Sequence, residues 1–134
     1  MTLTSKSQTF SSETVKALND WQRREFIYGD SDCCSFVAFI ANKLTGRDFS
    51  EYLTYSSERE AYDIIDAHGS FEALMDTVFG EPQEPNDGDP CMLELPIIGK
   101  VMGIKLGDSV VCVTKKGLAR VSTKYVIRSW KCRQ

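Results

Sequence analysis

A chain of 134 residues, 42% hydrophobic, with 16 Lys+Arg against 19 Asp+Glu, fits one globular domain with a core of its own. It contains no apolar run near the roughly 18–20 residues that cross a bilayer, so no membrane span is expected. Five cysteines, two of them adjacent, argue against a disulfide framework, and a single histidine with no C-x-x-C leaves no zinc ligand set, so neither metal nor other cofactor is expected.

Residues 1–12 are polar and Ser/Thr-rich and lack the features of a secretory signal, which predicts a flexible arm ahead of one domain over 13–134. Ser12 to Arg24 reads as a helix with Val15, Leu18 and Trp21 on one face. The stretch Phe26 to Val37 then runs through a turn and an Asp-Cys pair into a second helix. Its apolar stripe is Cys33, Phe36, Val37, Ile40, Ala41 and Leu44, with Ser31 or Asp32 as N-cap and Gly46 beyond its end. Ser57-Glu58-Arg59-Glu60 forms a capping box ahead of Ala61, Ile64 and Ile65, with Gly69 at the C′ position. Ser70 caps a short helix carrying Phe71, Leu74, Met75, Val78 and Phe79, stopped by Gly80. The prolines and acidic residues of 81–90 make a loop.

From Cys91 onward the pattern turns to strands. Cys91–Leu95 comes first, then Lys100–Leu106 and Ser109–Thr114 around a Gly-first hairpin connection, Gly107-Asp108. Lys115-Lys116-Gly117 turns into Leu118–Ser122, and Tyr125–Trp130 is last. Helices followed by an antiparallel meander is an α+β order.

Charge divides the same way. Residues 1–90 hold 7 basic and 17 acidic residues, whereas 91–134 hold 9 basic and 2 acidic. A basic half can bind nucleic acid, but these cations are scattered singly with no aromatic interleaving, and nucleic acid is not the expected partner. Two complementary lobes, or an oriented subunit in an assembly, explain the division equally well.

Cys33 is the chemical focus. A cysteine in the first helical turn meets unpaired N–H groups and the positive end of the helix dipole, which lower a thiol pKa. It is a candidate nucleophile on that ground. The alternative is a buried core cysteine, a common fate for free thiols.

These residues carry a resemblance. Tyr28-Gly29, then Asp32-Cys33 at a helix start, then Gly88-Asp89 before the first strand, then Val101-Met102-Gly103-Ile104-Lys105-Leu106-Gly107 is similar in order and spacing to the NlpC/P60 branch of the papain-like fold. The chain resembles more closely the short NlpC/P60-related proteins encoded beside tail genes of tailed phages. The shared features are Gly-x-x-Asp-Cys, Thr45-Gly46-Arg47-Asp48, Gly117-Leu118 and the late Trp130. The resemblance covers about residues 15 to 132. It implies a papain-like fold in which N-terminal helices, with the cysteine at a helix N-terminus, pack on a C-terminal antiparallel sheet or half-barrel. It also implies tail proteins as partners, a place in the virion, and Cys33 as nucleophile if the domain is active.

The departures from that pattern matter as much. A thiol hydrolase needs a base beside the sulfur and a polar group orienting the base. The resemblance puts Val101 at the base position and Cys112 near the orienter position, and neither can serve. Phe26 takes the place of a tyrosine that helps form the oxyanion site. The histidine, His68, falls at the end of a different helix, where the dipole stabilises it. Two readings follow: a degenerate domain acting as an assembly subunit of a phage tail tip or hub, or a cysteine peptidase or amidase cutting peptidoglycan stem peptides with an unrecognised base.

Overall fold

Asp32 begins the best-defined helix of the chain, α1, Cys33–Thr45. The computed structural model describes residues 32–131 together with Lys16, Leu18, Asn19 and Trp21. The backbone of Asp32 is extended, and its Oδ1 accepts the Ser35 N–H at 2.8 Å, satisfying one donor of the first turn. At the other end Gly46 adopts φ 74° and donates its N–H to Asn42 O, a left-handed cap that glycine takes without steric cost. Phe36, Val37, Ile40 and Ala41 of the predicted stripe are fully buried, while Cys33 and Leu44 at its ends are partly exposed. Lys16, Leu18, Asn19 and Trp21 are helical, as the pattern of Ser12–Arg24 predicts, and Leu18 and Trp21 are buried. The Trp21 ring lies 5.4 Å from Phe36 and 5.3 Å from Phe39, tying this segment to α1. The expected arm over 1–12, the Val15 position and the Phe26–Ser31 segment lie outside the described residues.

Helices α2, Glu58–Ala67, and α3, Phe71–Phe79, begin at Ser57 and Ser70, whose hydroxyls accept the N–H groups of Glu60 and Ala73. The capping box of α2 is displaced by one residue. Glu60 reaches back to the N–H and hydroxyl of Ser56, not Ser57, because Ser56 stands a residue further out with both donors free to turn toward the carboxylate. None of the residues of α2 is fully buried, so this helix rides on the surface through the partly buried Ile64 and Ile65. No helix among the described residues is long and apolar enough to cross a membrane.

The second half forms a five-stranded antiparallel sheet: β1 Pro90–Leu95, β2 Gly99–Leu106, β3 Ser109–Thr114, β4 Gly117–Ser122 and β5 Val126–Ser129, in the order β4-β3-β2-β1-β5. The first four make the expected meander. The last departs from it. After a 3₁₀ turn over Thr123–Tyr125 the chain returns across the sheet to pair with β1, and the strand is shorter than the Tyr125–Trp130 expected. Trp130 explains the shortening: it is fully buried, donates Nε1–H to Asp76 of α3 at 2.8 Å, and its ring packs 6.2 Å from Phe79. The tight connection between β2 and β3 is the Gly-first hairpin turn, with Gly107 at φ 64°.

Both faces of the sheet are apolar. Met92, Met102, Ile104, Leu106, Val111 and Val113 join the helices in the main core. Cys91, Leu93, Leu95, Val101, Val110 and Cys112 point the other way into a second buried cluster, completed by Ala119, Val121, Tyr125 and Val126. Alternation along each strand sends neighbouring residues to opposite faces. The α+β class is therefore as expected, with the helix that begins at Cys33 packed on β2 and β3.

Candidate functional site

Cys33 stands where the start of α1 meets the sheet, in contact with both apolar clusters. The helix start carries Asp32 and Cys34 beside it, and a loop brings Tyr55. Cys34 points into the main core. Asp32 is 2% exposed and accepts a short hydrogen bond at Oδ2 from the hydroxyl of Tyr55, while its Oδ1 caps the helix. On the sheet side the Met102 backbone lies near enough to the Cys33 sulfur to favour its charged form. The strand register accounts for this meeting point. Strands β2 and β3 pair from Leu106↔Ser109 as far as Gly103↔Cys112, while β3 goes on pairing with β4 to Thr114↔Gly117. The β2–β3 pairing thus ends one residue short of Met102, at the end of the ladder where Cys33 packs on both clusters.

This setting makes Cys33 acidic for a thiol. Its interaction with Cys34 holds its pKa below the ordinary value, and the Met102 backbone adds to this, against opposition from burial and the Asp32 charge. Cys34 moves the opposite way, raised by the same interaction and by burial. Tyr55 is likewise raised, by burial first and then by the Cys34 and Asp32 charges, so its phenol stays protonated and donates. The arrangement is a thiol of lowered pKa beside a buried carboxylate, Asp32, that caps the helix and accepts from Tyr55.

Val101 and Cys112, the positions of the missing base and orienter, fall in the apolar cluster against which Cys33 packs. Val101 is 8% exposed and Cys112 fully buried. Burial pushes the Cys112 thiol up to about 11, with the Cys33 charge contributing. A neutral thiol in that state cannot take a proton from Cys33. The His68 ring is engaged elsewhere: it caps α2, with Nδ1 2.9 Å from Ile64 O and its ring edge-on to Tyr52 at 6.2 Å. Phe26 lies outside the described residues. Among those residues no group of three or more His, Cys, Asp or Glu side chains is placed to hold a metal ion.

The other singled-out motifs are structural. Asp89, buried at 1%, accepts the Asn86 N–H at 2.8 Å on its side chain and the Lys105 N–H at 3.0 Å on its carbonyl, while Gly88 donates to Lys105 O, which joins this turn to β2. Thr45 folds its hydroxyl onto Ala41 O, and Asp48 accepts the Ser50 N–H, turning the chain out of α1. Gly103 is required by packing: a Cβ there would sit 2.6 Å from Val110 Cγ1 and 2.7 Å from Val111 O. Tyr55 and Cys34 are site residues that pattern reading does not single out as partners of Cys33. In sequence Tyr55 is indistinguishable from Tyr52, which is 44% exposed and remote in role. Beyond Tyr55 lies a surface depression of about 530 Å³, lined also by Thr54, Ser56, Glu60, Asp63 and Ile64.

The family model of a domain of unknown function, DUF6950, matches residues 5–132. The chain belongs to this family. The DUF6950 match spans both the helical and the sheet half, so the Cys33 junction lies inside the matched region. No curated protein matches the chain.

Proposed function

We propose that this DUF6950 chain is a degenerate papain-like domain of the NlpC/P60-related type, serving as a structural subunit at the tail tip or hub of a tailed phage. Its partners are other tail proteins and its destination is the virion. The observation that carries the reading is the pairing of a preserved Cys33 at a helix N-terminus with Val101 and Cys112 on the strands facing it. A hydrolase at this junction requires a group to take the thiol proton and return it to the leaving amine. An isopropyl group and a thiol titrating near 11 do neither. What remains is a helix-on-sheet scaffold with an acidic helical half and a basic sheet half, suited to docking in one orientation.

The competing reading, a peptidase or amidase acting on peptidoglycan stem peptides, draws on the lowered pKa of Cys33. Acidity alone supplies the attack and not the departure of the amine. The test is genetic and physical together. In the particle that carries the chain, Cys33→Ala is expected to assemble tails of normal composition and infectivity within about twofold of wild type, the chain being recovered in purified tails at fixed stoichiometry. Absence of the chain from tails, or a tenfold loss of infectivity with normal incorporation of Cys33→Ala, would overturn it.

A further inference from the structure

We propose that Cys33 is a site of oxidative modification by peroxides, with Cys112 as the thiol that resolves it into an intramolecular disulfide. Among the four described cysteines, Cys33 is partly exposed, whereas Cys34, Cys91 and Cys112 are buried. Of these four residues Cys33 has the most contact with solvent. The same junction sets a second sulfur against it. Cys112 ends the β2–β3 ladder opposite Gly103, one residue from the Met102 backbone that lies near the Cys33 sulfur. It lies in the cluster that Cys33 packs on, close enough for charge on Cys33 to act on it. Gly103 places no side chain in the way, since even a Cβ there would crowd Cys112 Cβ to 3.2 Å. The other two described thiols are worse placed. A Cys33–Cys34 bridge closes a strained eight-membered ring inside a helical turn. Cys91 lies on the far side of Gly103, one strand further from the ladder end, with its sulfur turned toward Asp89 O at 4.0 Å.

The chemistry balances with hydrogen peroxide as the named oxidant. The Cys33 thiolate attacks one peroxide oxygen; an S–O bond forms, the O–O bond breaks, sulfur loses two electrons, and hydroxide leaves. The Cys112 sulfur then attacks the sulfenic sulfur; an S–S bond forms, the S–O bond breaks, and the departing hydroxide takes the Cys112 proton to leave as water. The thiolate needed for the first step is favoured by the interactions with Cys34 and the Met102 backbone. The product ties the start of α1 to β3.

Peptide mapping of the folded full chain tests this without any variant. Trypsin separates Cys33 and Cys34 in 25–43, Cys91 in 60–100 and Cys112 in 106–115. After treatment with hydrogen peroxide and alkylation of remaining thiols, we expect 25–43 linked to 106–115, released by reductant. In Cys34→Ala the same link should still form through Cys33, but more slowly, since the interaction that most lowers the Cys33 pKa is gone. In Cys112→Ala a dimedone adduct should accumulate on Cys33. A link confined to 25–43, a link to 60–100, oxidation of Cys33 to sulfinic acid with no link, or failure of Cys33 to react would each overturn the proposal.

Discussion

Asp32 holds together the helix start, the tyrosine and the thiol pair, and its removal separates these roles. Asp32→Ala deletes the N-cap acceptor of Ser35, a loss of about 1 kcal/mol. It also strips the partly buried Tyr55 hydroxyl of its acceptor, costing about 1–3 kcal/mol. Urea unfolding should therefore show a loss of about 2–4 kcal/mol, a large share of the total of about 5–15 kcal/mol for a domain of this size. Combined with Tyr55→Phe the losses should be less than additive, since both changes remove the same hydrogen bond. Asp32→Asn keeps an N-cap and removes the charge. Because the Asp32 carboxylate raises the Cys33 pKa, the Asn variant should have a more acidic thiol, read as a shift of the pH–rate curve for iodoacetamide alkylation to lower pH. An Asp32→Ala loss below about 0.5 kcal/mol, or a Cys33 pKa that rises in Asp32→Asn, would refute this account of the site.

Two further outcomes follow from the sheet. Gly103→Ala forces a methyl against Val110 Cγ1 and the Val111 carbonyl, neither of which can withdraw without breaking the ladder, so urea unfolding should register a loss of at least about 2 kcal/mol; a neutral result would contradict the close approach. Burial pushes Cys91 up to about 12 from an ordinary 9.0, so the unfolded chain loses this proton before the native one does. The stabilisation present below pH 9 should then decline by about 1.4 kcal/mol per unit as pH rises toward 12, and Cys91→Ala should flatten the slope of stability between about pH 9 and 11; equal slopes would refute it.

The helices were legible because their signals are local. Ser57 and Ser70 begin their helices, Gly46 and Gly80 lie just past α1 and α3, and the α1 stripe buries as its spacing predicts. Strand positions were legible for the same reason, from Gly107-Asp108 and the alternation around it. The return of β5 to β1 was not, because strand order depends on what covers each edge, and no local residue encodes it. Nor was the burial of both sheet faces, although Cys91, Leu93 and Val101 read as part of near-continuous apolar runs. Within the site, Cys33 and its cap were visible as a helix start. Its surroundings were not: Met102 contributes through the backbone, which carries no residue-type signature, and Tyr55, which donates to Asp32, arrives from a loop 23 residues away. The assignment of Val101 and Cys112 to the base and orienter positions came from the resemblance; both lie in the second buried cluster, against which Cys33 also packs.

The central claim is that a reactive thiol without a proton shuttle does not turn over. The direct measurement is single-turnover and steady-state cleavage of peptidoglycan stem peptides by the folded wild-type chain and by Cys33→Ala. Iodoacetamide should label Cys33 of the wild type at neutral pH faster than a free thiol of ordinary pKa, while neither protein releases product above the buffer rate. Measurable cleavage by the wild type that falls tenfold or more in Cys33→Ala would contradict the account and return Cys33 to the role of nucleophile.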